Sequence, residues 1–274
     1  MSTSYNPKRI SIIGAGKIGE AIIEAMVATK FYKEPHITAT ARSQKRMNYL
    51  EQTFGIKTAS NAEAAAGSDV IVLAVKPQLA QKVINEITPS LSKSTLLISV
   101  MAGITLAQID KWTGSKCPVV RAMPNTPLRI RKGMTALCGS LTAQAHHVGF
   151  AEAMFNTMGR TLVMDEKLFD AVTGLSASGP AFIYIMIEAL AEGGVKAGIP
   201  RHLATELAAQ ACLGSASMVL ETGKHPAVLK DEVTTPAGCT IDGILKLEEG
   251  GIRVTLIKAV EEAAIKAKAL GEVE

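Results

Sequence analysis

Residues 9–21 read Arg9-Ile10-Ser11-Ile12-Ile13-Gly14-Ala15-Gly16-Lys17-Ile18-Gly19-Glu20-Ala21, and their reading decides the fold. The apolar run 9–13 suits a short buried strand, and the residues after Gly19 suit a helix reaching about Thr29. Between them, Gly14, Gly16 and Gly19 have the spacing of a dinucleotide-binding turn. Gly14 permits the tight bend, Gly16 lets a pyrophosphate approach the backbone, and Gly19 lets the helix pack closely on its strand. A glycine-rich surface turn would need neither the preceding strand nor the following helix.

The same alternation continues along the chain. Strand-like apolar runs fall at 11–13, 37–40, 70–75, 96–100 and 119–122, with a last one near 134–138. Helical stretches alternate with them at 19–29, 44–54, 61–65, 79–87, 106–111 and 143–157. This pattern predicts an α/β fold, a Rossmann-type doubly wound and mainly parallel sheet covered on both faces. Around 160–166 the pattern changes. Beyond it no strand is expected, and Ala-rich helices follow at 167–175, 180–193, 200–222, 227–233 and 240–270, interrupted at Gly250-Gly251. Pro200 is placed just inside a helix start. The expected domains are therefore 1–164, nucleotide-binding, and 165–274, an all-helical dimerisation and substrate-binding domain.

Composition narrows the function classes. The chain has 274 residues, 47% of them hydrophobic, which is enough for two cores. Only 4% are aromatic and the net charge is +4 without a basic stripe, so nucleic-acid binding is not expected. Cys117, Cys138, Cys212 and Cys239 are widely spaced and read as free thiols of a reducing compartment rather than metal ligands. Residues 1–8 lack the apolar run of a secretory signal, and 181–187 is too short to span a bilayer. A soluble, cytoplasmic protein with no membrane partner is expected. The apolar helices 181–190 and 203–220 exceed what a small helical domain can bury alone, which predicts pairing of two copies. Packing against the sheet domain is the other way to cover them.

Candidate binding residues lie at strand ends. After the second strand the chain offers Arg42, Ser43, Lys45 and Arg46 where an Asp or Glu would hold an unphosphorylated ribose, which favours NADP(H) over NAD(H). The bland reading is that Lys45 and Arg46 merely solvate the next helix. Ala74-Val75-Lys76-Pro77 and Val100-Met101-Ala102-Gly103 are further strand-end turns. The stiff loop Arg121-Ala-Met-Pro-Asn125-Thr126-Pro127 could lie against a nicotinamide or act only as a connector. In the helical half, the small-residue run 173–181 contains Ser178 and a break at Gly179-Pro180. Residues 230–244 carry another bulk-free turn opening a helix, with Thr234, Thr235, Pro236, Ala237, Gly238, Cys239 and Thr240. Such a helix start can take a small carboxylate; alternatively Thr235 or Thr240 simply caps it. No GxSxG elbow surrounds Ser176 or Ser178. The five histidines lie away from these turns, with His146 and His147 expected to diverge on a helix. With no strong acid, nucleophile or metal set, a reduction that needs alignment and charge placement fits best.

Taken in order, Gly14 to Gly19, Ala74 to Pro77, Met123 to Pro127, Asp170 to Ser176, Ser178 to Ala181 and the 230–248 stretch resemble the pyrroline-5-carboxylate reductases of proline synthesis. The likeness spans essentially the whole chain, and 230–248 is its most specific part. The resemblance implies NAD(P)H-dependent reduction of 1-pyrroline-5-carboxylate, a small imino acid, to L-proline, with NADPH the preferred cofactor and NADH the alternative. It implies a pyrophosphate over Ile13, Gly14, Ala15, Gly16, Lys17 and Ile18, with Ala41, Arg42, Ser43 and Asn61 at the adenosine end. Ala74, Val75, Lys76, Pro77, Val100, Met101 and Ala102 would flank the nicotinamide ribose, and Asn125 completes the cofactor set. The substrate carboxylate would sit near Thr235, Gly238, Cys239 and Thr240, with Ser178 and Glu166 close by. The Thr240 hydroxyl would bond the ring nitrogen and is the candidate catalytic group. These groups come from two subunits in the family, which implies at least a homodimer, and often a decamer built as a pentamer of dimers. Ala177, Glu232 and Ala237 depart from the residues common in relatives, the first and last replacing Gly. Two other readings share the plan: another imine or β-hydroxyacid reductase using Lys167 or Lys196, and a protein that binds NADP without turnover.

Overall fold

The computed structural model describes residue 5 and residues 7–271. The first part of the chain alternates strand and helix: β1 (Ile10–Ile13), α1 (Lys17–Ala28), β2 (Ile37–Thr40), α2 (Gln44–Phe54), β3 (Lys57–Thr58), α3 (Asn61–Ala66) and β4 (Val70–Leu73). It continues through α4 (Ala80–Ile87), β5 (Leu96–Ser99), α5 (Leu106–Thr113), β6 (Val119–Pro124), β7 (Gly133–Gly139), α6 (Ala145–Asn156) and β8 (Gly159–Val163). Helices follow: α7 (Phe169–Val172), α8 (Gly179–Lys196), α9 (Arg201–Thr222), α10 (Pro226–Val233), α11 (Cys239–Glu249) and α12 (Ile252–Gly271).

The strands form one sheet in the order β3-β2-β1-β4-β5-β6-β7-β8. Neighbours are parallel except β6 and β7, which are antiparallel. Only the short turn Thr126–Ile130 joins that pair, and a short connection forces antiparallel pairing. The strands β1, β4, β5 and β6 are buried throughout, as a sheet covered on both faces requires. Alternate residues divide between two cores. Ile10, Ile12, Val70, Val72, Leu96 and Ile98 pack with α1 and α6. Ile13, Ile71, Leu73 and Leu97 pack with α4 and α5.

The chain divides into two units, 1–177 with 262–274, and 178–261. The expected division near 165 thus falls earlier than the compact one. Residues 166–177 stay with the sheet because Phe169 is fully buried beside Met123 and Ala136. The end of α12 stays there too. Gly103 adopts φ +77°, and a Cβ on it would lie 2.7 Å from the Gly271 nitrogen, while Gln108 Nε2 donates to the Gly271 carbonyl at 2.7 Å. The expected helix 167–175 is also corrected. It is a 3-10 turn Glu166–Leu168, the short α7 and a π turn Thr173–Ala177.

In the helical unit, α8 and α9 pack through Ala191, Ala204 and Ala208. A Cβ on Gly194 would stand 3.1 Å from that of Ala204, tighter than an ordinary contact, so glycine eases the close approach there. Pro200 is the N-cap of α9 rather than its first residue. Tyr184 (60% exposed), Ile185, Leu207 (59%) and Leu220 leave apolar side chains uncovered. The helical runs Glu166–Lys196 (31 residues) and Arg201–Thr222 (22 residues) reach, by length and composition only, what crossing a bilayer requires, whereas the run 181–187 taken alone does not.

Candidate active site

The glycine turn after β1 is built as its spacing implies. Gly14 takes φ +91°, and a Cβ there would meet Val75 Cγ1 at 2.6 Å. The Gly14 N–H donates to Thr40 Oγ1 at 3.1 Å, and the Ala15 N–H to the Thr40 carbonyl at 2.8 Å. Gly19 abuts the turn: its Cβ would lie 2.8 Å from the Gly14 carbonyl oxygen and 3.1 Å from Ile12 Cγ2. Gly16 differs, since nothing lies within 4 Å of its Cβ position, and as N-cap it gives α1 no side-chain cap. Open space beside uncapped N–H groups is what a pyrophosphate needs.

A cleft of about 430 Å³ opens over this turn, lined by Gly14, Ala15 and Gly16, Thr40 to Ser43, Arg46, Asn61, Ala74 to Lys76, Leu79 and Val83. It brings together ten of the expected cofactor residues. Ile13, Lys17, Ile18, Pro77, Val100, Met101, Ala102 and Asn125 are not among its walls. Ile13 and Met101 are buried in the core, so only their backbone is available. Asn125 staples the sheet unit internally: its Nδ2 donates to the Ser176 carbonyl at 3.2 Å and its Oδ1 accepts the Met134 N–H at 2.9 Å.

At the end of β2, Ser43 caps α2, accepting the Arg46 N–H at 3.3 Å. Arg46 donates from Nε and Nη2 to the Ala15 carbonyl, both at 3.1 Å, and pairs with Glu20. Its guanidinium lies 4.9 Å from the centre of the Tyr49 ring. Burial pushes the Glu20 carboxyl up, but its bonds to Arg46 and Tyr49 and the charges of Arg46 and Arg129 outweigh this and hold it below the usual range. Arg46 is thus part of the wall, not the loose surface cation that its sequence context allowed. Lys45 is exposed and is not a wall residue.

Glu166 is committed within the sheet unit. Its Oε1 accepts from Arg121 Nη1 at 2.9 Å and from the Leu106 N–H at 2.7 Å. Arg121 is 2% exposed, and its guanidinium sits 4.8 Å from the Phe169 ring centre. No local pattern signals this pair, whose members lie 45 residues apart. Nearby, Cys117 is buried, which together with Asp110 pushes its thiol up to about 12, away from nucleophilic use.

In the helical unit, Gly238 is the N-cap of α11 and no side chain caps the helix. The alternative in which Thr235 or Thr240 supplies the cap is thereby corrected. The Gly238 N–H donates to the Thr235 carbonyl at 3.0 Å, and a Cβ on Gly238 would meet Thr235 Oγ1 at 2.5 Å. Thr235 and Cys239 are exposed and Thr240 is half-buried in the first turn. Ala237 is held at φ +57°. Glu232 pairs with Lys224 at 2.6 Å. Ser178 is the N-cap of α8 and its carbonyl accepts the Ala181 N–H at 2.9 Å.

No group of three or more His, Cys, Asp or Glu residues suited to a metal occurs among the described residues. The expectation that His146 and His147 diverge is corrected: their Nε2 atoms lie 3.1 Å apart because both sit at the start of α6, where His147 Nδ1 accepts the Gln144 N–H at 3.1 Å.

Sheet order, glycine turn and cleft define a Rossmann-type dinucleotide-binding domain, followed by a helical unit. Residues 9–103 match the family model "NADP oxidoreductase coenzyme F420-dependent", and residues 166–270 match "Pyrroline-5-carboxylate reductase dimerisation". A pyrroline-5-carboxylate reductase of Arabidopsis thaliana is 42% identical over 265 residues, 96% of each chain. The structure of a pyrroline-5-carboxylate reductase from Coxiella burnetii superposes with a TM-score of 0.89 at 35% identity, covering 98% of this chain and 100% of that one. A Plasmodium falciparum pyrroline carboxylate reductase with NADP bound gives 0.88 at 32%, covering 96% and 98%. The chain belongs to the pyrroline-5-carboxylate reductase family.

Proposed function

We propose that the protein reduces 1-pyrroline-5-carboxylate to L-proline, the last step of proline synthesis, with NADPH preferred over NADH. The enzyme works in the cytoplasm as a homodimer, and the family's decamer, a pentamer of dimers, is its proposed assembly. The observation that carries the reading is the start of α11. There, Gly238 leaves the first-turn N–H groups without a side-chain cap, next to the half-buried Thr240. Those groups, at the positive end of the helix dipole, suit the substrate carboxylate.

The cofactor fits the cleft on three observations: the open space at Gly16, the uncapped start of α1, and Arg42 with Ser43 at the end of β2. When bound, the dihydronicotinamide supplies a hydride to the imine carbon. The chain's own contribution is placement. Gly14 to Gly16 receive the pyrophosphate, and Ala74 to Lys76 border the ribose side. Thr235, Gly238 and Cys239 hold the substrate's carboxylate end, and the Thr240 hydroxyl orients the ring nitrogen, which carries the proton that makes the imine electrophilic. Glu166 and Asn125, held by their side-chain bonds within the sheet unit, and Ser178, at the start of α8, act as positioning residues.

Following NADPH absorbance with 1-pyrroline-5-carboxylate, and separately with 2-oxo and 3-hydroxy acids, tests the reading. Consumption only with the cyclic imine is expected; consumption only with an open-chain acid would replace it. In Thr240→Ala, turnover should fall by about 10- to 10³-fold, the loss of one positioned polar contact. Unchanged turnover would remove Thr240 from the mechanism.

A further inference from the structure

The cations at the nucleotide end of the cleft differ in what already holds them. Arg42 is exposed and has no hydrogen-bond or ion-pair partner among the described residues. Arg46 is 31% exposed in its side chain and lines the same wall, but its Nε and Nη2 are spent on the Ala15 carbonyl and Glu20. Glu20 is only 13% exposed. Its Oε1 accepts the Tyr49 hydroxyl at 3.1 Å and lies 3.8 Å from Arg129 Nη2, while Arg129 makes its closer pair with Glu24 at 3.0 Å. A half-sheltered carboxylate therefore sits in contact with a cation of the nucleotide wall.

We propose that Glu20, through its pair with Arg46, sets how strongly the cleft distinguishes a 2′-phosphorylated dinucleotide from its unphosphorylated counterpart. The inference rests on the reading of this cleft as the NADPH site. A phosphate dianion near the end of β2 feels Arg46 and Glu20 together, so the carboxylate offsets much of the guanidinium's attraction. A 2′-hydroxyl carries no charge and is nearly indifferent to the pair. Glu20 thus restrains the preference for NADP(H) that Arg42 and Ser43 create. It does so without lying at the position, after β2, where an acidic residue usually selects NAD(H). The pair also ties α2 to the glycine turn through the Ala15 carbonyl, which keeps Arg46 in place whichever dinucleotide enters.

The test is binding, independent of turnover. Dissociation constants for NADP⁺ and NAD⁺, and for 2′,5′-ADP and 5′-AMP, are measured by calorimetry on the full-length protein, Glu20→Gln, and Glu20→Gln/Arg46→Met. Glutamine keeps the shape and one acceptor, its Oε1 for Arg46, while its Nε2 can donate to the Tyr49 hydroxyl oxygen, and it removes the charge. The affinity ratio of NADP⁺ to NAD⁺ should rise about five- to twentyfold in Glu20→Gln, less at high salt, and return toward the native value in the double variant. A ratio within about twofold of native, or a rise that survives loss of Arg46, overturns the proposal. If the native protein binds neither dinucleotide, the reading of the cleft fails with it. If it binds both and only the ratio fails to move, the proposal alone fails. Should Glu20→Gln not fold, Arg46→Met alone decides: it leaves the Glu20 charge unpaired beside the phosphate, so the ratio should fall about fivefold or more, and a smaller change overturns the proposal.

Discussion

Ala237 is held in the left-handed region at φ +57°, in the turn that leads into α11. An L side chain with a Cβ resists that conformation by about 1–2 kcal/mol. Glycine removes the strain but adds freedom to the unfolded chain, so Ala237→Gly should stabilise by about 0.5–1 kcal/mol, raising Tm by roughly 1–3 °C at fixed protein concentration. A lower Tm would show that the alanine methyl is packed rather than strained. His147 gives a pH-dependent counterpart. Burial, then His146, lowers its pKa, and its Nδ1 must stay unprotonated to accept the Gln144 N–H. The folded value lies below the unfolded one of about 6.5, so this contribution is complete above that pH and is lost as pH falls through the folded value. Thermal melts between pH 7.5 and about 5 should therefore show a steeper loss for the native chain than for His147→Gln, which cannot titrate; parallel curves would count against it. At this scale the sequence is readable where backbone decides and opaque where partners do. The roles of Gly14, Gly16 and Gly19 follow from their spacing, whereas the commitments of Arg46, Asn125 and Glu166 depend on groups 26 to 60 residues away.

Between residue and fold, the unit is β1, its turn and α1, and its glycines separate packing from binding. A Cβ at Gly19 would press on backbone, the Gly14 carbonyl oxygen at 2.8 Å, while one at Gly16 would meet nothing within 4 Å. Gly19→Ala should push α1 off β1 and destabilise by about 1–3 kcal/mol, seen as a lower Tm. Gly16→Ala should melt like the native protein yet bind NADPH about tenfold or more weakly, because the methyl stands where the pyrophosphate must approach. Equal effects of both on stability would mean the turn does not divide its labour in this way. The central strands were legible because β1, β4, β5 and β6 are apolar throughout, being covered on both faces. The strands β3 and β8 were not. The first has two residues, and the second is a largely exposed edge strand whose pattern carries little apolar signal. Residues 167–175 read as one helix because most of their residues favour one. The 3-10 and π turns there reflect Glu166 and Phe169 being held by the sheet unit, a tertiary demand that local pattern does not contain.

At the scale of the molecule, the decisive quantity is apolar surface. The helical unit buries little beyond the alanines between α8 and α9, while Tyr184, Ile185, Leu207, Leu213 and Leu220 stay uncovered. Exposure of so many large apolar groups marks a surface meant to be covered. The match of 166–270 to a dimerisation model points to a second copy of the chain as the cover. Such an interface behaves like a domain core cut in half, so a single buried charge in it is costly and has no pairing partner. Leu207 lies on α9 and is 59% exposed within one chain, so Leu207→Asp leaves the fold of the isolated unit without a new buried charge. The expected result is a shift from dimer or larger assembly to monomer at micromolar concentration in sedimentation velocity, with helical content by circular dichroism retained. Turnover of 1-pyrroline-5-carboxylate should fall with the assembly, because the proposed site draws on two subunits, while NADP⁺ binding to the cleft of the sheet unit should persist. Unchanged sedimentation would place the subunit contact on another face. Lost assembly with full turnover would show that one chain carries the whole site.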